Sequence, residues 1–191
     1  MYLREYSPRV LPREFIKNAM KLIPNSGHIV DQNLKLILGL VWIIILHYSI
    51  QIDTFPPETT EKCFTPKERL LSWVTDKIEL PVENFTTHWN DGRAVGSLVD
   101  SFAPGLCPNW RYWDGKKRLE NVTEAMETAE TWLSVPMLIT PDEIINPRVD
   151  EKSVMTYIAQ FSGAEVKEGA PLKRPEPPFQ AKIRNPGCGK K

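Results

Sequence analysis

The chain has 191 residues, of which 41% are hydrophobic and 25% charged, and its 24 basic and 24 acidic side chains cancel. This composition is typical of a globular domain, and a net charge of zero excludes the long-range field that attracts nucleic acid. Cys63, Cys107 and Cys188 lie far apart without a metal-binding spacing, which indicates free thiols in a reducing compartment.

The first part of the chain, residues 1–27, is poorly specified, because prolines alternate there with scattered charges. An almost unbroken apolar run follows at 36–46, and Asp31 or Asn33 is placed to cap a helix there. Such a helix is about 16 Å long, roughly half of a bilayer core. Three interpretations stay open: a core helix, a helix left partly uncovered, and a membrane-associated segment. Residues 1–32 are too short and polar to cover it on all sides.

A second module begins after residues 53–64, which lack periodicity, contain a Pro-Pro pair and are predicted to be a linker. Thr65 as N-cap, Pro66 at the first helical position and Glu68 two positions later predict a capping box. The helix that follows ends before Pro81. We predict that this module extends over residues 65–163.

A buried helix over 91–102 is predicted at the centre of this module. Four residues fall at the i, i+3, i+4 and i+7 spacing of one helical face: Val95, Leu98, Val99 and Phe102. Large apolar residues before and after it would cover that face: Phe85, Trp89, Leu106 and Trp110.

Three further elements complete the predicted bundle. An amphipathic helix over 116–135 has an apolar face made of Leu119, Val122, Met126, Ala129 and Leu133. A single turn capped by Thr140 precedes Pro147. The last helix begins near Asp150 and places three apolar residues on one face: Val154, Ile158 and Phe161.

The end of the chain, residues 164–191, is rich in proline and basic residues and has few large apolar ones. It cannot bury enough surface to fold alone, so a solvated tether is predicted. A contact between this basic tail and an acidic lipid surface is the less favoured interpretation.

No catalytic or metal centre is predicted. The histidines at 28, 47 and 88 fall in separate segments, and none has a second ligand three or four residues away. Cys107, between a leucine and a proline, has the setting of a small core hydrophobe. We therefore predict no enzymatic activity, no metal and no cofactor.

The motif at 89–94, Trp-Asn-Asp-Gly-Arg-Ala, followed by Leu98 and Val99, resembles the signature of a calponin-homology domain. The continuation at 103–110, Ala-Pro-Gly-Leu-Cys-Pro-Asn-Trp, is similar to the second such domain of filamins. The segments at 65–71, 139–144 and 149–157 match the same family at consistent spacing. The resemblance implies an all-α calponin-homology bundle of four main helices plus short helical turns.

Residues 28–52 resemble the C-terminal part of a first calponin-homology domain, of which about the last third is present. Gln32 stands where the family usually has glycine, and Ile43 replaces a common threonine. The resemblance thus implies an isolated apolar helix from a partial domain in front of a complete second domain.

The resemblance to filamins implies a non-enzymatic, cytoplasmic protein of the cytoskeleton that binds filamentous actin, with an affinity weakened by the missing part of the first domain. The alternative is a scaffold or regulatory module that docks another protein through the apolar helix. The oligomeric state is left undefined. The residues that the resemblance implies in actin binding are Leu36, Leu40, Trp42, Ile43, Leu46, Lys67, Arg69 and Lys77.

Overall fold

The computed structural model describes residue 17 and residues 30–51 and 65–173. The chain forms two compact units, Met1–Leu70 and Leu71–Lys191. The described residues form helices and contain no strand, which confirms the predicted all-α class. Nearly all of 1–27, the linker at 53–64 and the tail beyond residue 173 lie outside the described residues, so the predictions made for them stay predictions.

Helix α1, Leu34–Ile45, continues as a short π-helix, Leu46–Gln51. Asn33 caps it, since its side-chain oxygen accepts a hydrogen bond from the Leu36 N–H at 3.4 Å. No residue of α1 is buried, so the core-helix interpretation is wrong for this segment and the partly uncovered helix is observed. In the described ranges, no helix combines the length and the apolar character needed to cross a bilayer.

The turn before α1 contains Gln32 at φ 55°, in the left-handed region. A residue with a Cβ pays roughly 1–2 kcal/mol there, because Cβ crowds the following carbonyl oxygen. Gln32 is the position where the family resemblance expects glycine, so this departure carries a conformational cost.

Helix α2, Pro66–Lys77, begins with the predicted capping box. The Glu68 N–H donates to the Thr65 hydroxyl at 3.3 Å, and the Thr65 N–H donates to a Glu68 carboxylate oxygen at 2.7 Å. Three residues of this segment are fully or almost fully buried: Leu70, Val74 and Ile78. The reciprocal hydrogen bonds pair donors that a helix start otherwise leaves unsatisfied.

Helices α3, Arg93–Phe102, and α4, Arg118–Leu133, pack against each other at the centre of the C-terminal unit. Gly92 caps α3 with φ 81°, and a Cβ built on it would lie 2.7 Å from the Val122 backbone nitrogen. Beside it, the Asn121 amide donates to the carbonyls of Asp91 and Asp114, each at 2.9 Å. Close backbone approach and a paired amide therefore join the two helices.

The predicted apolar face of α4 is confirmed at four of its five positions: Val122, Met126, Ala129 and Leu133 are fully buried. Leu119 is 44% exposed, so its assignment to this face is wrong. The buried side also includes Ala125 and Asn121, which turns its centre away from Leu119, in the first turn of the helix.

Helix α5, Pro141–Ile144, has the capping box predicted at Thr140, and helix α6, Glu151–Gln160, is capped by Asp150. Short 3-10 helices occur at Thr87–Trp89, Trp110–Tyr112 and Phe161–Gly163. The core of the unit combines the buried face of α3 with aromatic and aliphatic side chains that are fully buried: Phe85, Trp89, Val154, Tyr157, Ile158 and Phe161.

The beginning of the predicted tail, residues 164–173, hydrogen-bonds to the helical bundle. The Glu165 and Lys167 N–H groups donate to the carbonyls of Leu133 and Trp132 at 3.2 and 2.9 Å. The Lys167 ammonium adds bonds to the carbonyls of the same last turn of α4. These carbonyls have no partner within the helix, so the backbone N–H groups of Glu165 and Lys167 and the Lys167 ammonium stabilise this end of it.

Candidate functional site

The candidate residues that lie on α1 and in its π-helical continuation have similar exposure. Leu36, Leu40, Trp42, Ile43 and Leu46 are all half-buried. Leu36, Leu40 and Ile43 recur at spacings of four and three, so they lie along one side of α1. Each retains surface that another molecule could contact.

The exposed side of α1 is a different one. It consists of Leu34, Leu38, Val41, Ile44 and Tyr48, which are 65, 57, 43, 39 and 52% exposed. Their spacings of four, three, three and four residues place them in one line along the helix. We call this line the apolar stripe. Sequence reasoning missed it, because a run that is apolar at every position does not indicate which face is uncovered.

The basic candidates lie on α2 and do not form a single face. At 100° per residue, Lys67 and Arg69 point to nearly opposite sides of the helix, and Lys77 lies about 15 Å from Lys67 along the axis. Lys67 and Lys77 are exposed, whereas Arg69 is half-buried and its Nε is a buried donor without a hydrogen-bond partner among the described residues. Lys67 and Lys77 are thus surface cations, whereas Arg69 is partly enclosed by the fold.

Lys77 is held by an aromatic cluster of the C-terminal unit. Its Nζ lies 5.9 Å from the centre of the Phe102 ring, within the range of a cation–π contact. Phe102 also approaches Trp73 and Phe161, with ring centres 6.2 and 5.9 Å apart. An ammonium positioned in this way keeps its charge at the surface while its stem covers apolar atoms.

The pKa shifts of Glu79, Arg111 and Cys107 are explained by hydrogen bonding and burial. The hydrogen bond from the Arg111 guanidinium holds the pKa of Glu79 below its usual value, and the same contact raises the pKa of Arg111. Burial raises the pKa of the Cys107 thiol far above its ordinary value, so it stays protonated.

Across the described residues, no group of three His, Cys, Asp or Glu side chains could hold a metal ion.

The helical bundle is similar in sequence to known proteins. Residues 64–167 match the sequence profile of the Calponin homology (CH) domain. The chain is 50% identical to Filamin-C of Rattus norvegicus over 165 residues, which cover 84% of this chain and 6% of that protein. It is 48% identical over 168 residues to Filamin-A of Drosophila melanogaster, covering 85% of this chain and 8% of that one.

A more distant relative is Alpha-actinin-3 of Homo sapiens, 37% identical over 154 residues that cover 76% of this chain and 16% of that protein. The chain therefore spans less than a tenth of the filamins and about a sixth of the actinin. The CH region of filamins is not enzymatic, in agreement with the prediction of no chemistry. The profile covers more than half of the chain, the fold is helical as the resemblance implied, and the chain belongs to the calponin homology domain family.

Proposed function

We propose that this chain binds actin filaments without chemistry, as a filamin-like CH region of the cytoplasmic cytoskeleton. The observation that carries the proposal is the match of 64–167 to the CH profile together with about 50% identity to filamins over most of the chain. The contacts proposed are the half-buried side of α1, which includes Leu36, Leu40 and Ile43 with Trp42 and Leu46 beside it, and the exposed lysines of α2.

Cosedimentation with actin filaments over a series of salt concentrations tests this proposal. We expect pelleting that weakens as salt rises, because contacts between exposed charges are screened within about 10 Å at 0.1 M ionic strength. A chain that does not pellet above its own background at low salt would rule out direct binding.

Charge variants sharpen the test. Lys67→Gln or Lys77→Gln should each weaken binding by up to about fivefold, since exposed ion pairs contribute roughly 0.2–1 kcal/mol. Lys116→Gln, which removes the same charge in front of α4, is the matched control and should leave binding unchanged. Equal effects of all three variants would show a dependence on net charge alone.

Two substitutions distinguish the sides of α1. Leu40→Ala alters the half-buried side proposed to contact actin, and Leu38→Ala alters the apolar stripe. We expect the first to weaken pelleting and the second to leave it unchanged, with the circular dichroism spectrum of each variant as the check of folding. The opposite result would assign actin binding to the stripe.

A second candidate function is a scaffold module that docks another protein, and the exposure of the apolar stripe favours it. A photo-crosslinking residue at Leu38 should then capture one defined protein other than actin. The same residue at Leu119, an exposed leucine of α4, is the matched control. Identical capture at both positions would contradict a docking role for the stripe.

A further inference from the structure

Residues 164–173, which we call the strap, connect two places on the C-terminal unit. At one end, the N–H groups of Glu165 and Lys167 donate to carbonyls in the last turn of α4. At the other end, the Lys173 N–H donates to the Gly105 carbonyl at 2.6 Å, in the loop after α3. No proposed actin-binding residue belongs to the strap, so a role for it goes beyond the function proposed above.

The attachment at Lys173 depends on the close approach of two backbones. Gly105 has φ 95°, and a Cβ built on it would lie 2.5 Å from the Lys173 carbonyl oxygen. The loop that contains Gly105 is itself held in place, because Asp100 accepts hydrogen bonds from the N–H groups of Gly105 and Cys107 at 2.8 and 3.3 Å. At this end the strap therefore binds an ordered part of the bundle.

The strap is held by hydrogen bonds and not by apolar burial. None of its residues is buried, and its two large apolar side chains, Val166 and Leu172, are 48 and 57% exposed. Between Lys167 and Lys173, its one hydrogen bond among the described residues is local, from the Leu172 N–H to the Ala170 carbonyl. Segments with few buried apolar contacts and exposed hydrogen bonds open at a lower free energy than a core.

The two attachments differ in strength. At the end of α4, the two backbone hydrogen bonds are joined by two from the Lys167 ammonium, to the carbonyls of Glu130 and Thr131 at 3.2 and 2.6 Å. These carbonyls lie at the negative end of the helix dipole, which favours a cation. The attachment at Lys173 is a single backbone hydrogen bond. It is therefore the weaker of the two.

A cavity of about 220 Å³ lies where the strap meets the bundle. The strap contributes Pro171 and Lys173 to its lining, and the bundle contributes Leu106, Thr128 and Trp132 among others. Trp132 is half-buried. The part of the strap between its two attachments thus forms one wall of this cavity.

We propose that the strap peels from the bundle in a fixed order, first at Lys173 and then at Lys167 and Glu165, and that its release opens the cavity beside Trp132. The stretch between the two attachments has no hydrogen bond to the described part of the bundle, so release of Lys173 frees that stretch as a whole. The chain continues directly from Lys173. A molecule that binds residues beyond 173 therefore acts on the weaker attachment first.

Amide hydrogen exchange of the full chain, followed by nuclear magnetic resonance, tests the order of release. Relative to the intrinsic rates of an unstructured chain, we expect Lys173 to exchange fastest and Lys167 and Glu165 more slowly. Leu98 in α3 should exchange most slowly, because it opens only when the bundle unfolds. Low urea concentrations should accelerate exchange at Leu98 but not in the strap, since local opening exposes little surface. Strap amides as protected as Leu98, or Lys173 slower than Glu165, would overturn the proposal.

Variants at the two attachments test how they are coupled. Lys173→Pro removes the N–H donor, whereas Lys173→Gln, the matched control, keeps it. The proline variant should accelerate exchange at Lys167 and Glu165 about two- to tenfold, as expected for the loss of one hydrogen bond. It should also shift the indole signal of Trp132, and the glutamine variant should do neither. Exchange at Leu98 should stay unchanged in both.

Lys167→Gln supplies the reciprocal test, because it weakens the attachment that opens second. It should accelerate exchange at Glu165 and leave exchange at Lys173 unchanged. The proposal is overturned if Lys167→Gln accelerates exchange at Lys173, if the two Lys173 variants have equal effects, if the Trp132 signal does not move in the proline variant, or if Leu98 is accelerated as much as the strap.

Discussion

Replacing Gly92 by alanine tests how α3 and α4 are joined. Gly92 has φ 81°, and an added Cβ would lie 2.7 Å from the Asn121 Cβ and 2.7 Å from the Val122 backbone nitrogen. A Cβ contact below 3.0 Å essentially never occurs, so the backbone of α4 would have to move. The substitution therefore combines backbone strain with a clash against an atom that cannot rotate away.

The two costs can be estimated separately. The left-handed conformation costs a residue with Cβ roughly 1–2 kcal/mol. Forcing one extra carbon into a packed interface costs about 1–3 kcal/mol. We expect Gly92→Ala to lower the free energy of unfolding by about 2–5 kcal/mol, a large part of the 5–15 kcal/mol that is usual for a domain.

Urea unfolding followed by tryptophan fluorescence measures this loss. With a slope of about 2 kcal/mol per molar urea, the middle of the usual range, the midpoint should fall by roughly 1–2.5 M. Gly169→Ala is the matched control, because Gly169 also has φ 81° but its added Cβ would meet nothing within 4 Å. If Gly92→Ala costs no more than Gly169→Ala, the close approach of the two helices does not contribute and the reasoning is wrong.

Two further predictions concern side-chain contacts of the same unit. Asn121→Ala should cost about 2 kcal/mol, because the carbonyls of Asp91 and Asp114 lose their shared donor; an unchanged urea midpoint would contradict this. The hydrogen bond from Arg111 lowers the pKa of Glu79 in the folded state. The pair therefore stabilises the fold at pH values above the pKa that this carboxyl has in the unfolded chain. The stabilisation is lost as the pH falls through the lower pKa of the folded state. Arg111→Gln should raise the pKa of Glu79 in a carboxyl-detected titration, and an unmoved pKa would show that the pair does not persist in solution.

Local patterns predicted much of the module that begins at Thr65. The capping residues Thr65 and Thr140 mark helix starts because their hydroxyls pair with N–H groups only three residues away. The periodicity of α3 and α6 identified buried residues such as Leu98 and Ile158, since a helix with a single apolar face can pack against a core only through that face. The same logic misplaced Leu119, where a helix start left an apolar residue outside the interface.

Sequence could not identify the open cavity of about 670 Å³ whose lining includes Leu80, Asn90 and Arg118. Its members come from the loop after α2, the start of α3, the start of α4 and the turn after α5, and no spacing along the chain relates them. The position of Asn90 within the family motif gives no sign that its amide is buried and has no hydrogen-bond partner among the described residues. Both properties depend on which atoms the folded chain brings within hydrogen-bond distance.

The sequence by itself determined the helical class, the starts of the helices and the family, because these depend on short-range hydrogen bonds and on motifs at consistent spacing. Tertiary structure decided which face of α1 is uncovered, how closely Gly92 approaches α4, and that Glu165 and Lys167 bind the carbonyls at the end of that helix. These features depend on contacts between residues far apart in the chain. A local sequence pattern indicates which side chains of a helix can be buried, whereas the packing of the folded chain decides which residues cover them.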